Sequence, residues 1–221
     1  MAKNVRTKEL FDCKTPYVQD LFEKCEYPWE MLPLIKEHIK KILENGIDGY
    51  EEIQEGVLVG KNVKIYPNVV IEAPAVIGEG TEIRPGAFLR GNVIIGRNCV
   101  IGNSTEMKNC VLLDNVQVPH YNYVGDSILG NYAHMGAGSI CSNLKSDGMN
   151  IIVHGDKEYE TGLRKIGGIL ADHADIGCGC VINPGTVIGQ YTSVYPLTAL
   201  RGVIAENSIV KSMDNIVIRN K

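Results

Sequence analysis

Three groups of residues in this sequence have types and spacings that could do chemistry. His120 lies in an irregular stretch, residues 118–126 (VPHYNYVGD). An imidazole titrates near neutrality, so it can take a proton from an amine that must be neutral to attack. Arg90 and Lys108 lie eighteen residues apart and form a pair of cations suited to a fixed anion. The glycine-rich GAGS at 136–139 offers backbone N–H groups of the kind that hold a developing oxyanion. Cys178 and Cys180 have C-x-C metal spacing, but no second cysteine pair lies nearby in sequence, so no metal is expected.

The elements that must position these groups follow from an internal repeat. An aliphatic residue recurs every six positions from Val59 through Ile65, Ile71, Ile77, Ile83, Leu89, Ile95, Ile101 and Met107 to Leu113. The series resumes at Leu129, Met135 and Cys141, and again from Leu170 to Leu200. Two residues before each rung stands a small side chain, such as Val57, Ala75, Thr81, Cys99 or Val111. A helix cannot use a period of six, because its apolar stripe needs i, i+3, i+4 spacing. Short strands joined by tight corners can, with the small residue and the rung both facing inward. Corner sequences such as GKN, RPG, GRN and NPG supply the backbone freedom for reversal. Three strands make one triangular coil, and neighbouring coils stabilise one another along the stack. In this register Arg90 and Lys108 each directly follow a rung and stack on one edge. Cys99, Cys141 and Cys180 face the core.

The first 50 residues differ. Thr15-Pro16 and Pro28 read as helix starts. Met31, Ile35, Ile39, Ile42 and Leu43 share a face, with Gly46 as the stop. The expected organisation is a helical cap over 1–50, packed on an end of the coil stack, and a β-helix over 51–221. The repeat breaks twice. Between Leu113 and Leu129 there are sixteen residues where eighteen are expected, and between Cys141 and Leu170 lies a long polar loop, 144–166. Breaks in a regular pattern are where function is expected. The loop should fold as a flap over the site, around a hairpin at IIV, residues 151–153.

A net charge of −4 argues against nucleic acid and anionic membranes. No apolar run approaches the roughly 20 residues of a membrane span. The polar start MAKNVRTKELFDCK lacks a signal-peptide core, so a cytoplasmic location with reduced cysteines is expected. Twenty-four glycines and three phenylalanines point to a narrow interior filled by small and medium aliphatic side chains.

The stretches IRPGAFLRGN (83–92), GNSTEMK (102–108), VPHYNYVGDSILG (118–130) and GAGSICSN (136–143) resemble the acetyltransferase half of the bacterial bifunctional N-acetylglucosamine-1-phosphate uridylyltransferases, within the hexapeptide-repeat acyltransferase family. Residues 143–167 are similar to the archaeal sugar-1-phosphate nucleotidylyltransferase/acetyltransferases. The resemblance implies a left-handed parallel β-helix, a homotrimer with sites between subunits, and acetyl transfer from acetyl-CoA to an amino-sugar phosphate. It implies His120 as general base, Lys108, Tyr123 and Asn143 on the sugar phosphate, and Ala137 and Gly138 against acetyl-CoA. The family arginine matches Arg84 by its RPG text and Arg90 by coil spacing, and Arg90 is preferred. His134 stands where the family has an asparagine, and Lys145 and Lys165 are both candidates for a downstream lysine. No G-x-G-T-R loop is present, so nucleotidyl transfer is not expected. Two other classes stay open. One is a non-catalytic sugar-nucleotide-binding or scaffold module of the same fold. The other is a γ-type carbonic anhydrase, which needs three clustered histidines, whereas His120 and His134 are fourteen residues apart.

Overall fold

The computed structural model describes residues 4–219, and these form a left-handed parallel β-helix with three walls. Wall 1 carries the parallel strands Val57–Val59, Ala75–Ile77, Val93–Ile95, Cys110–Leu112, Ile128–Leu129, Gly168–Leu170, Thr186–Ile188 and Val203–Ile204. Wall 2 runs from Lys64–Ile65 to Ser208–Ser212, and wall 3 from Val70–Glu72 to Ala199–Leu200. Antiparallel strands close both ends: Glu51–Gln54 pairs with the first strand of wall 1, and Asn215–Ile218 folds back on the last strand of wall 2.

Rungs align vertically, Ile77 on Ile95 and Ile83 on Ile101, and the interior column is buried from Ile77 upward, whereas Ile65 of the first coil is exposed and Ile71 half-buried. The corners need left-handed backbone. Between walls 1 and 2 this position recurs as Asn62, Gly80, Asn98, Asn115, Tyr132, His173 and Tyr191, with φ between 54 and 70°. Asn and Gly tolerate that region, whereas aromatic side chains rarely adopt it. Here Tyr132, His173 and Tyr191 stack ring on ring at 4.9 and 4.6 Å.

The first expected break is not a break. Ile95 pairs with Leu112, and Leu112 with Leu129 on the next coil. Val118 and Val124 are buried rungs in register with Ile101 and Met107. One corner residue is missing after Met107 and another after Val124, so the inward pair on the first of these coils is Cys110 and Leu112 and the next wall 1 rung is Leu129. Val111 and Leu113 point outward beneath the helices. The coil tolerates the loss of a corner residue because only the strands carry the rungs.

The helical segment does not cover an end of the stack. Helices α1 (Thr7–Leu10), α2 (Pro16–Lys24) and α3 (Ile35–Asn45), with a 3₁₀ stretch Pro28–Leu34, pack against the outer face of wall 1. The reason lies in the outward residue of each wall 1 strand: Leu58, Val76, Ile94, Val111, Ile128, Ile169, Val187 and Val203 are all apolar. Such a row costs free energy in water, so a second apolar layer covers it. Thr15 stands at the N-cap of α2, but its hydroxyl donates to Asp114 at 3.0 Å rather than capping the helix.

The inserted loop does contain a hairpin, Ile152–His154 with Glu158–Glu160. It joins the same outer layer. Ile151, Val153 and Ile166 are buried, and Tyr159 meets Tyr27 and Trp29 at 5.3 and 5.9 Å. A Cβ on Gly185 would meet the Ile151 side chain at 2.5 Å, so the hairpin closes over bare backbone there. The hairpin is therefore a structural element of the wall 1 side rather than a free flap.

Candidate active site

Wall 3 and its two edges gather most of the expected site residues. At the edge between walls 3 and 1, Lys108 follows Met107, which pairs with Leu89 one coil below, so Arg90 and Lys108 occupy successive coils of one column. Lys108 pairs in turn with Gly125 on the coil above. Gly125 carries no side chain, and the Tyr123 phenol folds back over it: a Cβ there would strike the Tyr123 hydroxyl and meet the Asn143 amide nitrogen at 2.9 Å. Arg90, Lys108, the Tyr123 hydroxyl and the Asn143 amide thus succeed one another along this edge.

Arg90 is exposed and bonds Glu106 at 2.6 Å, which holds its guanidinium pKa above the usual value. Lys108 is half-buried and makes no ion pair among the described residues. Burial first, then the charges of Asp126 and Glu106, raise the Tyr123 phenol above its ordinary pKa. Arg84 lies elsewhere. It follows a wall 2 strand and its Nε bonds Glu82 at 2.9 Å, so the RPG text match and the coil match fall on different edges.

At the edge between walls 2 and 3, His120 is exposed. Its backbone N–H donates to Asn122 at 3.0 Å and its carbonyl accepts from Gly138 N–H at 3.0 Å. The GAGS turn therefore sits one coil above His120. Asn122 is a buried corner side chain whose amide donates to the carbonyls of Gly136 (2.9 Å) and Ser139 (3.1 Å). It ties the His120 backbone to that turn. Three of the four expected N–H donors are already engaged: Gly136 bonds Ile176, Gly138 bonds His120 and Ser139 bonds Gly136. Within GAGS only the Ala137 N–H has no backbone partner, and Ala137 is exposed.

His134 lies on the outer face of wall 2, with Nδ1 2.8 Å from Asp175 of the next coil. It does not share a wall with Tyr123. Lys145 pairs with Asp147 at 3.1 Å and borders a cavity of about 530 Å³ with Asn183 and Arg201. Lys165 borders a different cavity of about 570 Å³, shared with Asn109, Asp126, Leu163 and the Leu32-Pro33 pair of the N-terminal segment. Of the two lysines, Lys165 is the one that shares a cavity with Asn109 and Asp126, while Lys145 lies towards Ser142, Asn183 and Arg201. Cys178 is exposed and Cys180 is buried, so the C-x-C pair is split between outside and core. Among the described residues no three His, Cys, Asp or Glu side chains are grouped to hold a metal.

Sequence reasoning missed Asn122 and Asp126. Both are polar residues just before or after a rung, in a stretch whose rungs were hidden by the dropped corner residue. A phase-corrected repeat would have placed Asn122 at an inward position normally filled by a small residue. That alone marks it as a buried hydrogen-bonding group.

Comparison with known proteins gives a consistent picture. A family model described as the GMPPB C-terminal domain matches residues 72–157. The bifunctional protein GlmU of Methanococcus aeolicus is 36% identical over 212 residues, covering 88% of this chain and 48% of that protein. The bifunctional sugar-1-phosphate nucleotidylyltransferase/acetyltransferase of Sulfurisphaera tokodaii is 31% identical over 151 residues, covering 62% of this chain and 38% of that protein. This chain therefore spans about half the length of the relatives it matches, or less. Among solved structures, PerB from Caulobacter crescentus in complex with CoA and GDP-perosamine aligns with a TM-score of 0.43 at 17% identity, over 72% of this chain and 57% of that one. That likeness is too distant to bear on function.

Proposed function

We propose, from the premise that this chain belongs to the hexapeptide-repeat acyltransferase family, that it is an acetyl-CoA-dependent N-acetyltransferase acting on an amino-sugar phosphate of the glucosamine-1-phosphate kind. One observation carries the reading: cations and sugar-type hydrogen-bonding groups line one edge of wall 3, and an exposed histidine beneath a glycine-rich turn stands at the other. Lys108 and Arg90 hold the phosphate. Arg90 gives one N–H to Glu106 and keeps its others for the anion. Tyr123 and Asn143 hold the sugar ring. His120 takes the proton as the amine attacks the thioester carbonyl, and the proton goes to the CoA sulfur as the carbon–sulfur bond breaks and CoA leaves as the thiol. The Ala137 N–H is the donor available to the oxyanion, with Gly138 shaping the same turn against acetyl-CoA.

Wall 1 is covered by helices and hairpin, which leaves walls 2 and 3 for contact between copies. A homotrimer built on them would bring the His134–Asp175 pair of one copy towards wall 3 of the next. A cytoplasmic location fits a supply of acetyl-CoA.

The test is acetyl transfer from acetyl-CoA across amino sugars and their phosphates, with sedimentation of the same sample. Activity should appear with phosphorylated amino sugars and the particle should be a trimer. His120→Ala should lower kcat roughly 10²–10⁴-fold with the acetyl-CoA KM little changed. Arg90→Ala should raise the acceptor KM, and Arg84→Ala should not. Full activity in His120→Ala would remove the proposed base, and saturable sugar-nucleotide binding without turnover would favour the scaffold reading.

A further inference from the structure

We infer that Asp126 is a positioning residue that fixes the polarity of the Tyr123–Asn143 pair, so that the pair recognises a hydroxyl group of the acceptor sugar; this rests on the acceptor site proposed above. Asp126 is buried, 6% exposed, at a corner with φ 46°. Its backbone N–H donates to the Lys108 carbonyl at 2.9 Å and its carbonyl accepts from Gly167 at the base of the inserted loop, at 2.7 Å. Both carboxylate oxygens are occupied: Oδ1 accepts from Asn109 Nδ2 at 2.8 Å and Oδ2 from Asn143 Nδ2 at 2.5 Å.

The consequence is chemical. An amide oxygen cannot face a carboxylate, so Asp126 dictates which end of the Asn143 amide points inward. The Asn143 nitrogen also donates to the Tyr123 hydroxyl at 3.2 Å. With both its N–H groups engaged, Asn143 turns its carbonyl oxygen to the site as an acceptor. The Tyr123 oxygen, already accepting one hydrogen bond, turns its O–H outward as a donor. A donor and an acceptor side by side match a sugar hydroxyl, which accepts one hydrogen bond and gives another. They do not match a hydrogen or an ether at the same position. Losing such a pairing leaves buried polar groups unmet, which is where discrimination against deoxy analogues arises.

The test uses the full chain with the acceptor found active and its set of monodeoxy analogues. In the wild type, removing the hydroxyl seated on the pair should raise KM about tenfold with little change in kcat or in the acetyl-CoA KM. Asp126→Asn should raise the parent acceptor's KM by a similar factor, because the Asn143 amide can now turn over, and the deoxy analogue should suffer no further loss. Tyr123→Phe keeps the Asp126–Asn143 bond and should abolish the deoxy penalty in the same way, which covers the case of an unstable Asp126 variant. A second readout needs no sugar. By ¹³Cζ-tyrosine NMR in an Asn143→Ala background, where no amide can turn over against the phenol, Tyr123 should titrate lower with Asp126→Asn than with Asp126 in place, since the Asp126 charge helps to hold it up. An unmoved Tyr123 titration, or a deoxy penalty that persists unchanged in both variants, would overturn the inference. If the titration falls as expected while the wild type acetylates no amino sugar, the hydrogen-bond chain stands and the acceptor reading is what fails.

Discussion

Replacing Asn122 with Ala should cost more than any other single polar truncation near His120. The side chain is 2% exposed and its amide makes three hydrogen bonds, to the carbonyls of Gly136 and Ser139 and from the N–H of His120. Alanine leaves the Ser139 carbonyl and the His120 N–H without this partner and takes one of the two hydrogen bonds from the Gly136 carbonyl, which keeps the Ser139 N–H. At roughly 1 kcal/mol per net bond the loss is about 3 kcal/mol, and it grows if water cannot enter the space. For a chain of this size 1 kcal/mol shifts Tm by about 2–4 °C, so the expected fall is roughly 6–12 °C. Asn103→Ala is the control. Its amide donates to Pro85 from an exposed position at 3.3 Å, and a Tm change under about 2 °C is expected. Thermal melting of both variants by circular dichroism decides the matter. If Asn122→Ala melts within 2 °C of the wild type, the buried corner amide is not what joins the His120 backbone to the turn above it.

Two other outcomes follow from the packing. Cutting the hairpin back to a short linker between Leu144 and Lys165 should lower Tm by several degrees at least, since Ile151 and Val153 bury side chains worth about 1.5–3 kcal/mol each; unchanged melting would restore the flap reading. With a thiol reagent at pH 8, Cys178 should react fast and the buried cysteines slowly. Burial pushes Cys99 up to about 12 and Cys141 to about 11, leaving little thiolate, and fast labelling of either in the native protein would contradict the core register.

Much of the architecture was legible because the rung period is imposed by geometry that sequence cannot disguise. Ile77, Ile95 and Ile101 can only be spaced as they are if strands of fixed length meet corners of fixed length. What hid the rest was a change of phase. One missing corner residue after Met107 moved the inward set from Leu113 to Leu112 and made Val118 and Val124 look like part of a loop. The placement of the helices was also present in the sequence, at a longer period than six. Every eighteen residues or so the outward residue is Leu58, Val76, Ile94, then Val111, all apolar, whereas wall 2 shows Lys64, Glu82, Val100 and Gln117 at the equivalent places, three of the four polar. Reading one wall at a time would have shown which face was to be covered. The site was legible as a set of residue types. The order of Arg90, Lys108, Tyr123 and Asn143 along one edge depends on register, and the role of Asp126 depends on side-chain directions that no spacing rule supplies.

The row of apolar residues on wall 1 also bears on how the molecule comes apart. A bare solenoid unfolds from its ends, because each coil is held only by the two beside it. Here the helices and the hairpin touch coils from Leu58 to Val203, and the N-terminal strap is tied far along the stack: the Asp172 N–H donates to Leu10, and the Asp172 carboxylate accepts from Asp12 at 2.8 Å. Leu10 and Asp12 thus complete these bonds only when the late coils exist. The outer layer behaves as a splint, so that fraying at one end is resisted by contacts at the other. Loss of the splint should convert one sharp unfolding transition into a drawn-out sequence of smaller ones.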